Sequence, residues 1–299
     1  MRREEIDAVA STAQRLAVLL GAGVAPATAW QYLDDAPMTA AIAARVETGS
    51  PVTAAILAEA RGPTRDAWAG LAAAWQVASE AGSPLAPTLR AFAASLRAFA
   101  AASRSAESAL AAPVATARMV MVLPAVGVLF GLALGFDVLG TLFATPPGLV
   151  CFALALLLML AAWRWNRRLV AAAQPTELTP GLRAELTAIA VSGGASIDRA
   201  LASVEQALSV AGLDLEAQGA EVEAVLDLSR RAGVPAAELL RSQAQEARRE
   251  AAGAADRRAS VLAVRLMLPL GICILPAFML LGVAPLLLAV VSSTLTGFP

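Results

Sequence analysis

The sequence predicts an all-α integral membrane protein, in which two cytoplasmic helical bundles form a duplicated module and three transmembrane helices cross the bilayer. Three observations predict it. Of the 299 residues, 58% are apolar, above the roughly 45–50% of a soluble domain, so the excess belongs where water does not reach. Three long runs carry almost no charge. Elsewhere, apolar residues recur at helical spacing and strand-like alternation is scarce.

Residues 1–117 read as a cytoplasmic bundle of about six helices. Pro26, Pro37, Pro51, Pro63 and Pro84 each precede an Ala/Leu-rich stretch, and Ser50 and Ser83 stand directly before two of them. Proline suits the first helical position, where its missing N–H costs nothing, and serine is a good N-cap. Leu16, Leu19, Leu20 and Val24 form one apolar stripe, and Leu85, Leu89, Phe92, Leu96 and Phe99 another, as in the seams of an antiparallel bundle. Trp68 and Trp75, seven apart, are expected in that core. The opening residues "MRREEIDAVASTAQRL" show no signal-peptide pattern. The helix from Pro84 toward Leu110 is expected to lead past Pro113 into the membrane.

The membrane hairpin occupies 118–165, with spans near 118–140 and 147–165 around the turn at Pro146-Pro147-Gly148. A hydrocarbon core of about 30 Å needs about 20 helical residues. Gly127, Gly131 and Gly135 lie four apart on one face of the first span, where the missing side chains favour close helix packing. Asp137 falls near the outer end of that span, within reach of headgroup water.

Residues 166–261 form the second, shorter bundle, with helices expected at 180–191, 197–209, 213–232 and from Pro235 toward Arg258. Its mixed-charge stretch "RREAAGAADRR" reads as a solvated face beside the anionic inner leaflet. Residues 262–299 supply the third span, near 263–284, followed by a short extracytoplasmic tail. Pro269 and Pro276 are expected to kink it and Pro285 to mark its outer end. Arg118 precedes the first span, Arg164, Arg167 and Arg168 follow the second, and Arg257, Arg258 and Arg265 precede the third. The positive-inside bias therefore puts the N-terminus and both polar segments in the cytoplasm and the C-terminus outside.

Composition also excludes functions. The chain has no His, and all 23 basic residues are Arg, so neither a P-loop lysine nor an imidazole-based triad or zinc site is available. Cys151 and Cys273 stand alone in apolar runs and make neither a zinc knuckle nor a disulfide framework. No catalysis, cofactor or metal is expected. The net charge of −1 argues against nucleic acid as a partner.

The landmarks repeat. "LLGAGVAPATAW" (Leu19 to Trp30) echoes in "AVSGGASIDRAL" (Ala190 to Leu201), aligning Gly23 with Gly194. "EAGSPLAPTL" echoes in "RRAGVPAAELL", aligning Gly82 with Gly233, and Leu123-Pro124 of the first span echoes in Leu268-Pro269 of the third. The offset falls from 171 to 151 to 145, so the second copy is shortened in its middle.

These motifs resemble the inner-membrane platform (F-domain) family of type II secretion and type IV pilus machines. "LLGAG" matches the family's opening turn, Glu80 and Gly82 match its Glu-x-Gly step, and the second copy with its span is most similar to the tight-adherence (Tad/Flp pilus) branch. In the second module Arg230 stands where the first has Ser79, and no Glu-x-Gly step survives. The resemblance implies a scaffold in the bacterial inner membrane. Its implied partners are a cytoplasmic hexameric assembly ATPase, pilin subunits, a second platform protein or another copy of itself, and the lipid bilayer. The turns at Gly23, Gly82, Gly194 and Gly233 would set module geometry, Gly127, Gly131 and Gly135 would pack spans, and Glu80 is a candidate partner contact. The competing reading is a subunit of a small-molecule transporter, which three spans with charges only near their ends serve poorly.

Overall fold

A computed structural model of the chain describes residues 2–33, 35–133, 138–173, 179–285 and 287. The described residues are helices joined by turns, and they divide into two compact units. One comprises residues 1–103 with 175–253, the other 104–174 with 254–299.

The first unit draws on both polar segments. Five helices open it: α1 (Arg2–Gly21), α2 (Pro26–Gln31), α3 (Pro37–Glu47), α4 (Val52–Glu59) and α5 (Arg65–Glu80). To these it adds the start of α6 (Leu85–Ala133), then α9 (Leu182–Ser192), α10 (Ile197–Ala211), α11 (Gly219–Ala232) and most of α12 (Ala236–Arg265). Pro26 and Pro37 take the first helical turn. Ser50 is not a cap, since Pro51 holds that position for α4 and the Ser50 amide instead closes the end of α3 on the Arg45 carbonyl. The stretch expected as helix from 213 begins only at Gly219. Gly212 turns left-handed at φ +63° and the Asp214 carboxylate accepts the Glu216 amide, so a 3₁₀ turn intervenes at Glu216–Gln218.

The segments read from sequence as separate bundles share one core. Residues Ile6, Leu16, Trp30, Trp75 and Leu89 from the first lie in the same buried cluster as Leu186, Ile189, Val204 and Leu208 from the second. Helix α5 is at its centre, buried continuously from Ala67 to Trp75, as a helix that is apolar all round must be. Trp30 and Trp75 meet at 6.1 Å between ring centroids. Gly70 makes room on the same helix for Phe92 and Leu182, whose atoms an added Cβ would approach to 3.1 and 3.5 Å.

The second unit holds the rest of α6, α7 (Val138–Ala144), α8 (Pro146–Ala173) and the end of α12 with its continuation to Val283. Two described helices, Pro146–Ala171 and Ala236–Val283, are long and apolar enough to cross a membrane, and α6 is apolar over Met121–Ala133. Gly135 and Asp137 lie outside the described residues. At the α7–α8 turn the Thr145 hydroxyl donates to the Thr141 carbonyl and accepts the Gly148 amide, while Phe143 and Phe152 tilt together at 5.0 Å. Beyond Pro269 and Pro276 the last helix widens into π turns, Leu270–Ile274 and Met279–Val283. A proline that cannot donate leaves carbonyls that such local re-spacing can satisfy. Ala284, Pro285 and Leu287 are helical.

Candidate functional site

The four turn glycines fall into two matched pairs. Gly23 and Gly194 both adopt φ +88°, and Gly82 and Gly233 adopt +66° and +65°. Each follows the last turn of a helix, where a left-handed residue lets the chain leave while its amides close on the final carbonyls. Thus the Gly23 amide bonds to the Leu20 carbonyl and the Gly194 amide to that of Val191. The 3₁₀ turns recur too: Gly62–Thr64 leads into α5 and Glu216–Gln218 into α11, each ending on a buried polar residue, Thr64 or Gln218. Where the first segment has α3 and α4 between these landmarks, the second has none.

The corner after α9 packs on the corner after α5. Gly193, beside the left-handed Gly194, is approached so closely that an added Cβ would fall 2.1 Å from the Ala81 carbonyl oxygen. The Ser83 hydroxyl, expected as a cap for α6, instead donates to the Ile189 carbonyl at 2.7 Å. One turn away, Glu80 accepts from Gln76 at 2.9 Å and from Ser203 of α10 at 2.8 Å. Glu80 is exposed, and its contacts here are internal to the unit.

Beside this junction a cavity of about 690 Å³ opens among α6, α9 and α12, with Pro84, Pro87 and Ala91 on one wall and Arg241, Gln245 and Arg248 on another. Arg241 donates to the Ser192 hydroxyl. Arg248 pairs with Glu185 at 2.8 Å, the two side chains only 16% and 9% exposed. Arg248 therefore belongs to the interior and not to the solvated face that the sequence predicts. At the start of α9, Gly181 lies against the Ala244 backbone of α12, which an added Cβ would approach to 2.8 Å. Sequence reasoning missed Gly193, Gly181 and the Glu185–Arg248 pair. The adjacent glycines "GG" were the one local hint, since a turn needs only one left-handed residue.

In the second unit, Gly127 of α6 faces the last helix. An added Cβ would lie 3.0 Å from the Phe278 ring and 3.3 Å from the Gly282 Cα. Glycine thus meets glycine, with contact area gained by close approach of backbones. Gly131 is also buried. Met121, Ala162, Cys273 and Ile274 form one packed layer across α6, α8 and the last helix, and Ala155, Ala277 and Leu281 a second. These layers fix the register. Arg118 precedes Met121, Arg164, Arg167 and Arg168 follow Ala162, and Arg265 precedes Cys273. The arginines of all three helices therefore lie toward one end, and the outward faces beyond it are apolar, as at Leu129, Phe130, Leu157, Ile272 and Leu275.

Residues 12–133, covering most of α1 and all of α2 through α6, match the family described as Type II secretion system (T2SS), protein F. That domain is found in the platform proteins of secretion and pilus machines. No curated protein matches the chain. No solved structure matches it either.

Proposed function

We propose that this chain is an inner-membrane platform protein of a Tad-type (type IV-like) pilus or type II secretion machine. In this reading it couples a cytoplasmic hexameric assembly ATPase to insertion of pilin subunits into the filament. The match of residues 12–133 to the protein F family carries the reading. The second segment is a shortened copy of the same module, supported by the repeated order of left-handed glycine corners and by 3₁₀ turns at equivalent places. Three spans cross the bilayer with the N-terminus cytoplasmic and the C-terminus outside, supported by the arginines gathered at one end of the packed helices.

The division of labour follows. The first unit is the docking body for the ATPase, with the longer first module bearing most of the contact. Helix α6 and the helix running from Ala236 to Val283 each contribute to both units, so they are the covalent route by which a displacement reaches the spans. The spans pack with one another through Gly127 and Gly282 and offer their apolar faces to lipid and pilin. The chain supplies no catalytic group.

In-cell crosslinking followed by pull-down from intact membranes tests this. The expected result is recovery of an assembly ATPase and a pilin. Recovery of other platform components with neither would overturn the proposal.

A further inference from the structure

We propose that the basic end of α8 is a binding site for one anionic glycerophospholipid, its phosphate held by Arg164, Arg167 and Arg168 and an acyl chain lying along Leu157 and Leu160. The inference rests on reading α8 as a membrane span, and adds a ligand to it.

Helical geometry makes the stripe. At about 100° per residue, Leu157, Leu160, Arg164 and Arg168 fall within an arc of about 80°, and the rise from Leu157 to Arg164 is about 10 Å. One leaflet of hydrocarbon is about 15 Å deep, half of a core of about 30 Å. A headgroup at Arg164 therefore leaves its chain beside Leu160 and Leu157 on the same face. That face is open: Leu157 is 64% and Leu160 52% exposed, and Arg164, Arg167 and Arg168 are exposed as well.

Charge selects the occupant. Helix α8 contains no Asp or Glu. None of its three arginines forms an ion pair among the described residues, whereas Arg183, Arg231 and Arg248 of the first unit all do. The one partner at this end is aromatic: the Arg167 guanidinium lies 4.8 Å from the Trp163 ring centroid. That contact holds the guanidinium in place without neutralising it. Trp163 and Trp165 are themselves part-exposed, as befits indoles at the interfacial depth. The last helix, packed on α8, adds positive charge at the same end through Arg265. Three planar guanidinium groups, donors in a fixed fork, fit a phosphodiester, and their uncompensated charge favours a headgroup of net negative charge over a zwitterionic one whose choline repels them.

The full chain, reconstituted in phosphatidylcholine vesicles containing a minority of phosphatidylglycerol, is extracted in mild detergent and its retained lipid measured by native mass spectrometry. The wild type is expected to keep phosphatidylglycerol over phosphatidylcholine by about tenfold or more. R164Q/R167Q/R168Q should fall to parity, R164K/R167K/R168K should retain part of the preference, and R257Q/R258Q, outside the stripe, should retain all of it. Equal retention of both lipids by the wild type, or an undiminished preference in the triple glutamine variant, would overturn the site. Carbonate extraction of the same vesicles separates the two levels. A chain that is washed off refutes the spanning reading and the site with it, while one that stays without lipid preference refutes the site alone.

Discussion

Two adjacent glycines in one corner should fail for different reasons when replaced. Gly194 has φ +88° with open space around the position of an added Cβ, whereas the Cβ at Gly193 would stand 2.1 Å from the Ala81 carbonyl oxygen. Gly194→Ala therefore incurs only the left-handed backbone penalty, about 1–2 kcal/mol, and Gly194→Asn less, because asparagine tolerates that region. Gly193→Ala must push two backbones apart by over an ångström to reach the 3.4 Å at which ordinary contact begins. Overpacking of that kind costs about 1–3 kcal/mol. The displacement also strains the buried Ser83 to Ile189 bond, whose loss leaves an unsatisfied group worth about 1–3 kcal/mol more. The sum is about 2–6 kcal/mol, larger than for Gly194→Ala. Denaturant midpoints of the purified full chain in one detergent give the ranking, and hydrogen exchange at Ile189–Ser192 localises it. The ranking expected is Gly193→Ala worst, then Gly194→Ala, then Gly194→Asn. Equal midpoints for the two alanine variants, or Gly194→Asn as damaging as Gly193→Ala, would refute the packing of one corner on the other.

Three further outcomes follow from the same geometry. Arg248→Leu strands the Glu185 carboxylate in the interior and should cost about 3–5 kcal/mol, while pairing it with Glu185→Leu should recover much of the loss; denaturant midpoints that show no recovery would contradict an ion pair held by mutual compensation. Gly127→Leu should lower the thermal midpoint of the chain in detergent by wedging α6 from the last helix, at about 1–3 kcal/mol, with Gly127→Ala milder; an unchanged midpoint for the leucine variant would remove that contact from the account. The Arg15 side chain hydrogen-bonds Asp35 and holds its carboxyl below the usual carboxylate range. A depressed value contributes stability at neutral pH that is lost as pH falls through the folded value, below about 4. Arg15→Gln should bring the Asp35 carboxyl resonance titration back up toward the ordinary value, and an unaltered titration would contradict the pairing.

Local chemistry made much of this legible from sequence. Pro26 and Pro37 open helices because their geometry allows little else, and the glycines at 23, 82, 194 and 233 all turn left-handed at chain reversals. The stripe from Leu89 through Leu96 is buried because its spacing gives the helix one apolar face. What the sequence concealed was the pairing of distant segments. Ser83 reads locally as a cap, and only the approach of α9 supplies the carbonyl that claims its hydroxyl. Arg248 sits in a run of mixed charge, and only the fold brings Glu185 to it. The sharing of one core by both polar segments had a faint signal in α5, whose run from Ala67 to Trp75 is apolar on every face and so requires neighbours on every side. Gly127 was readable as a packing position, but its partner, the Phe278–Gly282 surface, was not.

The central claim is that both polar segments lie in the cytoplasm and join the spans through α6 and α12. Topology labelling reads it directly: with Cys151 and Cys273 replaced by alanine, single cysteines are placed by Glu47→Cys, Arg231→Cys and Ser293→Cys, and a membrane-impermeant maleimide is applied to intact and permeabilised cells. The account predicts that positions 47 and 231 react only after permeabilisation and that position 293 reacts in intact cells. Reaction of either 47 or 231 in intact cells would contradict it.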